Sequence, residues 1–343
     1  MHNFNSDCPL IAGLKIHAGD EQIKFQAKIL AKNIDRITER NSDISVQHIL
    51  CEKYAHRKNI SPPVVAENLS IEGAINRMLD HQWWVRQIRT KLNRLAEREE
   101  IYNGTVHRFA STYVSNRTLN RRKAAKFRNR LILESLYLVN EEGTELNMLE
   151  VSEHSIANPA NKRAELMCRI AGFEEYAKSS GDAGVFLTFT CPSRMHARHS
   201  KSGKQNVKYD GSTPKESNQY LNQVWQRIRA KLARDNIQPY GFRVAEPQHD
   251  ETPHWHLLLF VEKHNIPALI DICKTYNLQD TPDEPGAKEH RFRCVYIDWN
   301  RGSAAGYIAK YIAKNIDGAH IEKDTLGNDA KEAAEKVEAW AST

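Results

Sequence analysis

Apolar side chains keep a helical spacing up to about Gly184, and beyond it strand-like and helical spacings alternate. Ahead of that point they recur at helical intervals: Ile23, Phe25, Leu30, Ile34 and Ile37 predict an amphipathic helix over about residues 21–40. Ile75, Met78, Leu79, Trp83, Ile88, Leu92 and Leu95 predict one longer helix over about 70–101, with Trp83 and Trp84 as core residues. Between the two, NISPPVV is a break, because Pro62 and Pro63 cannot continue a helix. The segment FRNRLILESLYLVN reads as helical on propensity, and NPANKRAELMCRIAGFEEYAKSSGD as a helix opened near Pro159 and closed by Gly181.

After Gly184 the texture is different. VFLTFTC alternates and is rich in β-branched and aromatic residues, as a strand is. The following PSRMHARHSKSGKQNVKYDGSTP has almost no apolar period and predicts a mobile loop. A helix comes next, capped by Thr213 and opened by Pro214, with Tyr220, Leu221, Val224, Trp225, Ile228 and Leu232 on one side. Strands at YGFRVAE and HWHLLLFVE, a helix from Pro267 to Tyr276, a strand at RFRCVYID and a helix near Ser303–Asn315 complete the series. The fold class expected is α+β: a helical N-terminal region (1–110), a basic helical region (111–180), a domain with a central antiparallel sheet flanked by helices (181–318), and a helical tail (319–343).

Composition narrows the class. Hydrophobic residues make up 40% and charged residues 27% of the 343, and no run approaches the roughly 18 apolar residues of a membrane helix. The start lacks a signal-peptide pattern, so a cytoplasmic chain is expected. Six cysteines stand singly with no CxxC pair, which argues against a structural zinc site or a redox motif. The net charge of +6 is local: Arg117–Arg130 holds seven Lys or Arg and no acid, while the last 26 residues are rich in Asp, Glu and Ala.

Two short motifs carry chemistry. Residues two apart on a strand share a face, so His254 and His256 present two imidazoles together while Trp255 points away. If the flanking strands pair as a hairpin across PQHDETP, Glu246 joins them, and two imidazoles with one carboxylate leave positions open for substrate on a divalent ion, magnesium or manganese. Chance alone supplies about 0.65 HxH in a chain with 15 His, so the apolar run after the motif and the carboxylate at hairpin distance carry the reading. His249, in the turn, is a runner-up ligand.

Tyr307 and Tyr311 lie one helical turn apart on one face, and Lys310 and Lys314 repeat that spacing beside them. Alone, paired helix tyrosines are core packing more often than chemistry. Together with a metal site they suggest phenol nucleophiles that attack phosphorus, the metal and Lys favouring phenolate against a pKa near 10. Two tyrosines allow two successive transesterifications, which a hydrolase would not need.

These residues resemble the HUH endonucleases, and more closely the phage replication gene A protein family. The likeness is carried by NRRKAAKFRNRLILES, NPANKRAELMCRIAGFEEYA, FLTFTCPSRMHA, FRVAEPQHDETPHWHLLLF and GYIAKYIAKNIDG, and so covers roughly Ser111 onward. It implies that His254, His256 and Glu246 hold the divalent ion, that Tyr307 and Tyr311 are the nucleophiles, and that Lys310 or Lys314 positions the phosphate. The implied activity is nicking of one strand at a replication origin of a phage or prophage, through a 5′-phosphotyrosine intermediate, followed by strand joining to complete rolling-circle replication. Single-stranded origin DNA is the implied partner, and a host helicase a further one. Members of that family continue beyond the point where this chain stops, so a C-terminal part is expected to be missing.

On that reading Arg121, Arg122, Lys126 and Arg130 become backbone-phosphate contacts; otherwise the basic helix is a solvated surface. Arg194 and Arg198, with His196 and His199 in the predicted loop, fit DNA contact better than a second metal site. Two alternatives stay open: a two-tyrosine transposase, and a non-catalytic origin-binding protein in which the histidines hold a structural ion or none.

Overall fold

A computed structural model describes residues 10–300, 302–319, 322–324 and 326–343, without the side chains of Ala305, Lys310 and Ala313. The chain divides into two compact units, one up to Glu100 together with Thr343, the other from Ile101 to Ser342.

In the first unit, α1 (Asp20–Glu39), α2 (Ile44–Arg57), α3 (Ile71–Leu79) and the body of α4 (His81–Asn103) enclose Leu30, Ile34, Cys51, Met78, Trp84 and Ile88. The single long helix expected over 70–101 is two helices. Asp80 interrupts it, its carboxylate accepting from the backbone N–H groups of Gln82 and Trp83 at 2.8 and 3.2 Å, as an N-cap does. Helix α2 gave no clear signal because only Cys51 and Ala55 of it are buried. Trp83 and Trp84 are core residues, 7% and 0% exposed.

The second unit starts with α5 (Asn116–Ser135) and a hairpin of β1 (Tyr137–Val139) with β2 (Glu145–Asn147). This hairpin replaces the helix read through LYLVN. The Asn140 carboxamide accepts from the N–H groups of Glu142 and Thr144, and Gly143 takes φ +79°, so the turn chemistry overrides helical propensity. After α6 (Met148–His154), α7 (Pro159–Ser180) runs from its Asn158 cap to Gly181, which ends it in the left-handed region.

There follow β3 (Ala183–Thr190), α8 (Pro214–Arg234), β4 (Tyr240–Pro247), β5 (Pro253–Val261), α9 (Ile266–Leu278), α10 (Ala287–His290), β6 (Phe292–Tyr296), α11 (Ala304–Ile316) and α12 (Ala330–Ala341). The sheet is antiparallel in the order β4-β5-β3-β6. Strand β5, which carries His254 and His256, lies inside the sheet, and β4, which carries Glu246, lies at its edge. With period-two alternation, Val185, Leu187, Phe189, Trp255, Leu257 and Leu259 pack against α8 and α9. Phe186, Leu258 and Phe260 face the other way, against Ile170 and Ala177 of α7 and Ile308 and Ile312 of α11. The sheet is thus flanked by helices on both faces, and the fold is α+β.

Residues 192–213 have no strand or α-helix, but they are tied down. Met195, Ala197 and Asn206 are buried, and the Asn206 carboxamide donates to the carbonyls of Ser193 and His196. Among the described residues no helix is long and apolar enough to cross a membrane.

Candidate metal centre and tyrosine pair

The hairpin register sets the first cluster. Glu246 of β4 stands directly opposite His254 of β5, and Val244 opposite His256. Cross-strand partners project to the same face, so the carboxylate meets both imidazoles. Glu246 Oε2 lies 3.6 Å from His254 Nε2 and 3.5 Å from His256 Nε2. Two ligands at about 2.1 Å from one ion stand roughly 3.0–3.4 Å apart, so this donor set fits a divalent cation with little movement. It is the one group of three such donors within 4.8 Å among the described residues.

Neighbours orient the donors. On the central strand β3, Thr188 pairs with His256, and Thr188 Oγ1 shares a 3.1 Å hydrogen bond with His256 Nδ1, which leaves Nε2 aimed at Glu246. Asn315 of α11 donates to Glu246 Oε1 at 2.8 Å. His256 Nε2 is buried without a well-formed hydrogen bond, as is His254 Nδ1. Burial of Glu246 pushes its carboxyl upward, but the neighbouring His256, Lys314 and His254 outweigh it and hold the group at about 2. Burial and the neighbouring His256 push His254 down to about 3, against the pull of Glu246. An ionised carboxylate and a neutral imidazole are the forms that bind metal.

Helix α11 crosses this same face. The Tyr311 ring centroid is 3.9 Å from that of His256, and Phe186 stacks on both rings at 5.3 and 5.5 Å. Tyr307, one turn earlier, lies beside Phe186 with ring centroids 6.5 Å apart. Both tyrosines border a cavity of about 450 Å³ whose other walls include Thr188, Arg293 and the glycines 302 and 306. Burial and the Glu246 charge raise the Tyr311 hydroxyl above its ordinary value, while Arg293 works in the opposite sense.

The expected lysines divide. Lys314 is buried, its Nζ 3.4 Å from Glu246 Oε2 and 4.5 Å from the Tyr113 ring centre, so it belongs to the carboxylate rather than to the cavity. The side chain of Lys310 lies outside the described residues.

Most of the expected DNA-contact residues are not at this site, and several have acidic partners. Arg122 and Lys126 both bind Glu338 of α12, at 2.8 and 2.7 Å, and Arg130 binds Glu134 and Glu153. Arg121 is half-buried on the same helix. Arg194 is held by Asp210 and Asp280. Arg198 borders a separate cavity with His196 and His199. His249, the runner-up ligand, lines that cavity as well and is not one of the three clustered donors.

Thr188, Arg293 and Asn315 were not found from the sequence. Thr188 pairs with His256 on one side and Arg293 on the other, an adjacency that exists only once the strand order is known. Asn315 had a signal, since it stands four residues after Tyr311 and so on the same helix face.

A family model described as "Bacteriophage replication gene A protein (GPA)" matches residues 17–319. The chain is 40% identical over 278 residues to "Replication gene A protein" of Escherichia phage 186, covering 79% of this chain and 40% of that protein. It is 39% identical over 293 residues to "Probable replication protein P12" of Pseudoalteromonas phage PM2, covering 83% and 45%. A third relative, "Probable replication endonuclease from prophage-like region" of Salmonella typhimurium, is 35% identical over 297 residues, covering 85% and 36%. The chain therefore spans less than half the length of these relatives. No solved structure matches it significantly.

Proposed function

The chain belongs to the bacteriophage replication gene A protein family, and we propose that it is the nicking and joining part of a phage or prophage replication endonuclease acting on single-stranded DNA at an origin. The observation that carries this reading is the placement of Tyr311 against His256, in one cavity with Tyr307 and Arg293. Both tyrosines pack on one side against the core and border, on the other, an open cavity with Thr188, Arg293 and Ser303 on its walls, which core packing alone does not require.

In the reaction, a tyrosine Oη attacks the scissile phosphorus. The phenol gives up its proton to solvent as the Oη–P bond forms, the P–O3′ bond breaks, and the leaving 3′ oxygen takes up a proton from solvent to give a free 3′ hydroxyl. The 5′ phosphate is then carried as a phosphotyrosine ester. Arg293, on the cavity wall, donates to the non-bridging phosphate oxygens and favours the phenolate by its charge. The second tyrosine, one turn away, receives the next strand, so bond energy is kept through the joining step. Glu246, His254 and His256 would hold a Mg²⁺ or Mn²⁺ ion, which supplies positive charge to the phosphate and offsets the carboxylate that now disfavours Tyr311 ionisation.

The test is a denaturing gel of labelled single-stranded origin DNA incubated with protein and Mn²⁺. The proposal expects a protein–DNA adduct that needs the metal and is abolished by Tyr307→Phe combined with Tyr311→Phe. Cognate DNA that binds but never forms an adduct would turn the reading to a non-catalytic origin-binding protein.

A further inference from the structure

The face of β3 that carries Thr188 into the tyrosine cavity continues to Thr190, two residues on and so about 7 Å away on the same side. Thr190 borders a second cavity, of about 240 Å³. Its remaining walls include Arg198 and His199 from the 192–213 loop, His249 from the β4–β5 turn, and His290 at the end of α10.

The carboxylates nearby already have partners. Asp250 lies 3.3 Å from His196 Nδ1 and accepts from the backbone N–H groups of Arg198 and Thr252. Glu284, on the cavity wall, takes Lys208 Nζ at 3.1 Å and the N–H of Ser193. Of the basic side chains on the wall, His196 pairs with Asp250 and Arg291 donates to the Asn277 carbonyl and the Tyr220 hydroxyl, which leaves Arg198, His199, His249 and His290. His249 is 5% exposed, yet its Nδ1 has no hydrogen-bond partner. Buried polar atoms in folded proteins are rarely left so unless a ligand or water takes them. Room for Arg198 is kept by Gly104 at φ +72°, where a Cβ would come within 1.9 Å of the guanidinium. A second metal is not what this space is built for, since among the described residues the three-donor cluster is the one at Glu246.

We propose that this cavity is a second anion subsite, which takes a backbone phosphate of the DNA strand next to the one presented to the tyrosines. The proposal rests on the reading of the chain as an enzyme that handles single-stranded DNA. The step from Thr188 to Thr190 is about the reach of one nucleotide, so the strand would be held at the scissile phosphate and at the phosphate beside it, fixing which one meets Tyr307 and Tyr311.

The test uses the whole chain and fluorescein-labelled single-stranded oligonucleotides, read by anisotropy. Arg198→Ala, His199→Ala and His290→Ala, at sites that leave the buried core intact, are each expected to weaken binding by roughly tenfold, and Arg198→Ala, which removes the cation, to reduce the salt dependence by about one phosphate contact. A single neutral methylphosphonate is then walked along the strand. At one position it should weaken binding to the native protein about tenfold and add nothing to the Arg198→Ala loss, the non-additivity of two partners in one contact. Variants that bind as the native protein does, or strictly additive losses at every position, overturn the subsite. Mn²⁺ binding beyond one equivalent that disappears in His249→Ala would also overturn it, in favour of a second metal. Adduct formation on the same samples separates the two readings: the methylphosphonate effect without any adduct keeps the subsite and removes the nicking reading, whereas adduct with unchanged affinities does the reverse.

Discussion

His256 on the central strand and Tyr311 on the helix that crosses it stand with ring centroids 3.9 Å apart. The histidine is aligned from below by Thr188, and Tyr311 is joined to the same carboxylate through Asn315, whose amide donates both to Glu246 and to the Tyr311 carbonyl. Donor cluster and phenol are therefore joined through α11, by ring contact at Tyr311 and by the Asn315 amide at Glu246.

That alignment makes Thr188 testable. Thr188→Val keeps the shape of the strand but removes the hydrogen bond to His256 Nδ1, and Mn²⁺ affinity measured calorimetrically should fall about 10–100-fold. Lys314→Met should act the other way, because it removes a cation 3.4 Å from the oxygen shared by both imidazoles. Tighter Mn²⁺ binding by Lys314→Met, with the metal-free protein less stable, is the expected result.

Arg293 is expected to act on the reacting phosphate. Arg293→Ala should slow single-turnover adduct formation by about 10²-fold with a smaller change in DNA affinity, and Arg293→Lys should recover part of the loss. An equal loss in binding and rate would instead make Arg293 a general DNA contact.

Much of this was readable from the chain because the determinants are local. HWHLLLF fixes a strand and its phase, so His254 and His256 had to share a face, and a hairpin across PQHDETP placed Glu246 opposite His254. The Tyr307 and Tyr311 spacing likewise needs only a helix. What was not readable depends on distant partners. On the basic helix, Arg122, Lys123 and Lys126 pair with Glu335 and Glu338, more than two hundred residues later, and no local pattern shows that pairing. Arg293 joined the site through strand order, which no local pattern encodes.

The buried His196–Asp250 pair predicts a pH dependence of stability. Burial would lower His196, but the Asp250 carboxylate outweighs it and raises the imidazole above its ordinary value of about 6.5; His196 in turn holds Asp250 well below the usual carboxylate range. The raised histidine contributes stability below about pH 6.5 that is lost as pH rises through its folded value. Asp250 contributes above about pH 4, and that part is lost in strong acid. Urea unfolding should show native stability falling as pH rises above about 6.5 and through the raised folded value of His196, and His196→Gln should remove most of that fall.

In the first unit, Trp84→Ala should destabilise by about 3–5 kcal/mol, since the ring is fully buried and its Nε1 donates to the Met78 carbonyl at 2.7 Å. DNA affinity per folded molecule should be unchanged. Retained stability with weakened DNA binding would make Trp84 a stacking platform instead.

The central claim is that a phenol of α11 becomes bonded to the strand. The most direct measurement is mass spectrometry of the protein after reaction with single-stranded origin DNA and Mn²⁺, followed by nuclease trimming and proteolysis. A nucleotide phosphate is expected on the peptide containing Tyr307 and Tyr311, absent without metal and absent when His256 is changed to Ala. DNA cleaved with that peptide unmodified, or with the nucleotide on another residue, would contradict the claim.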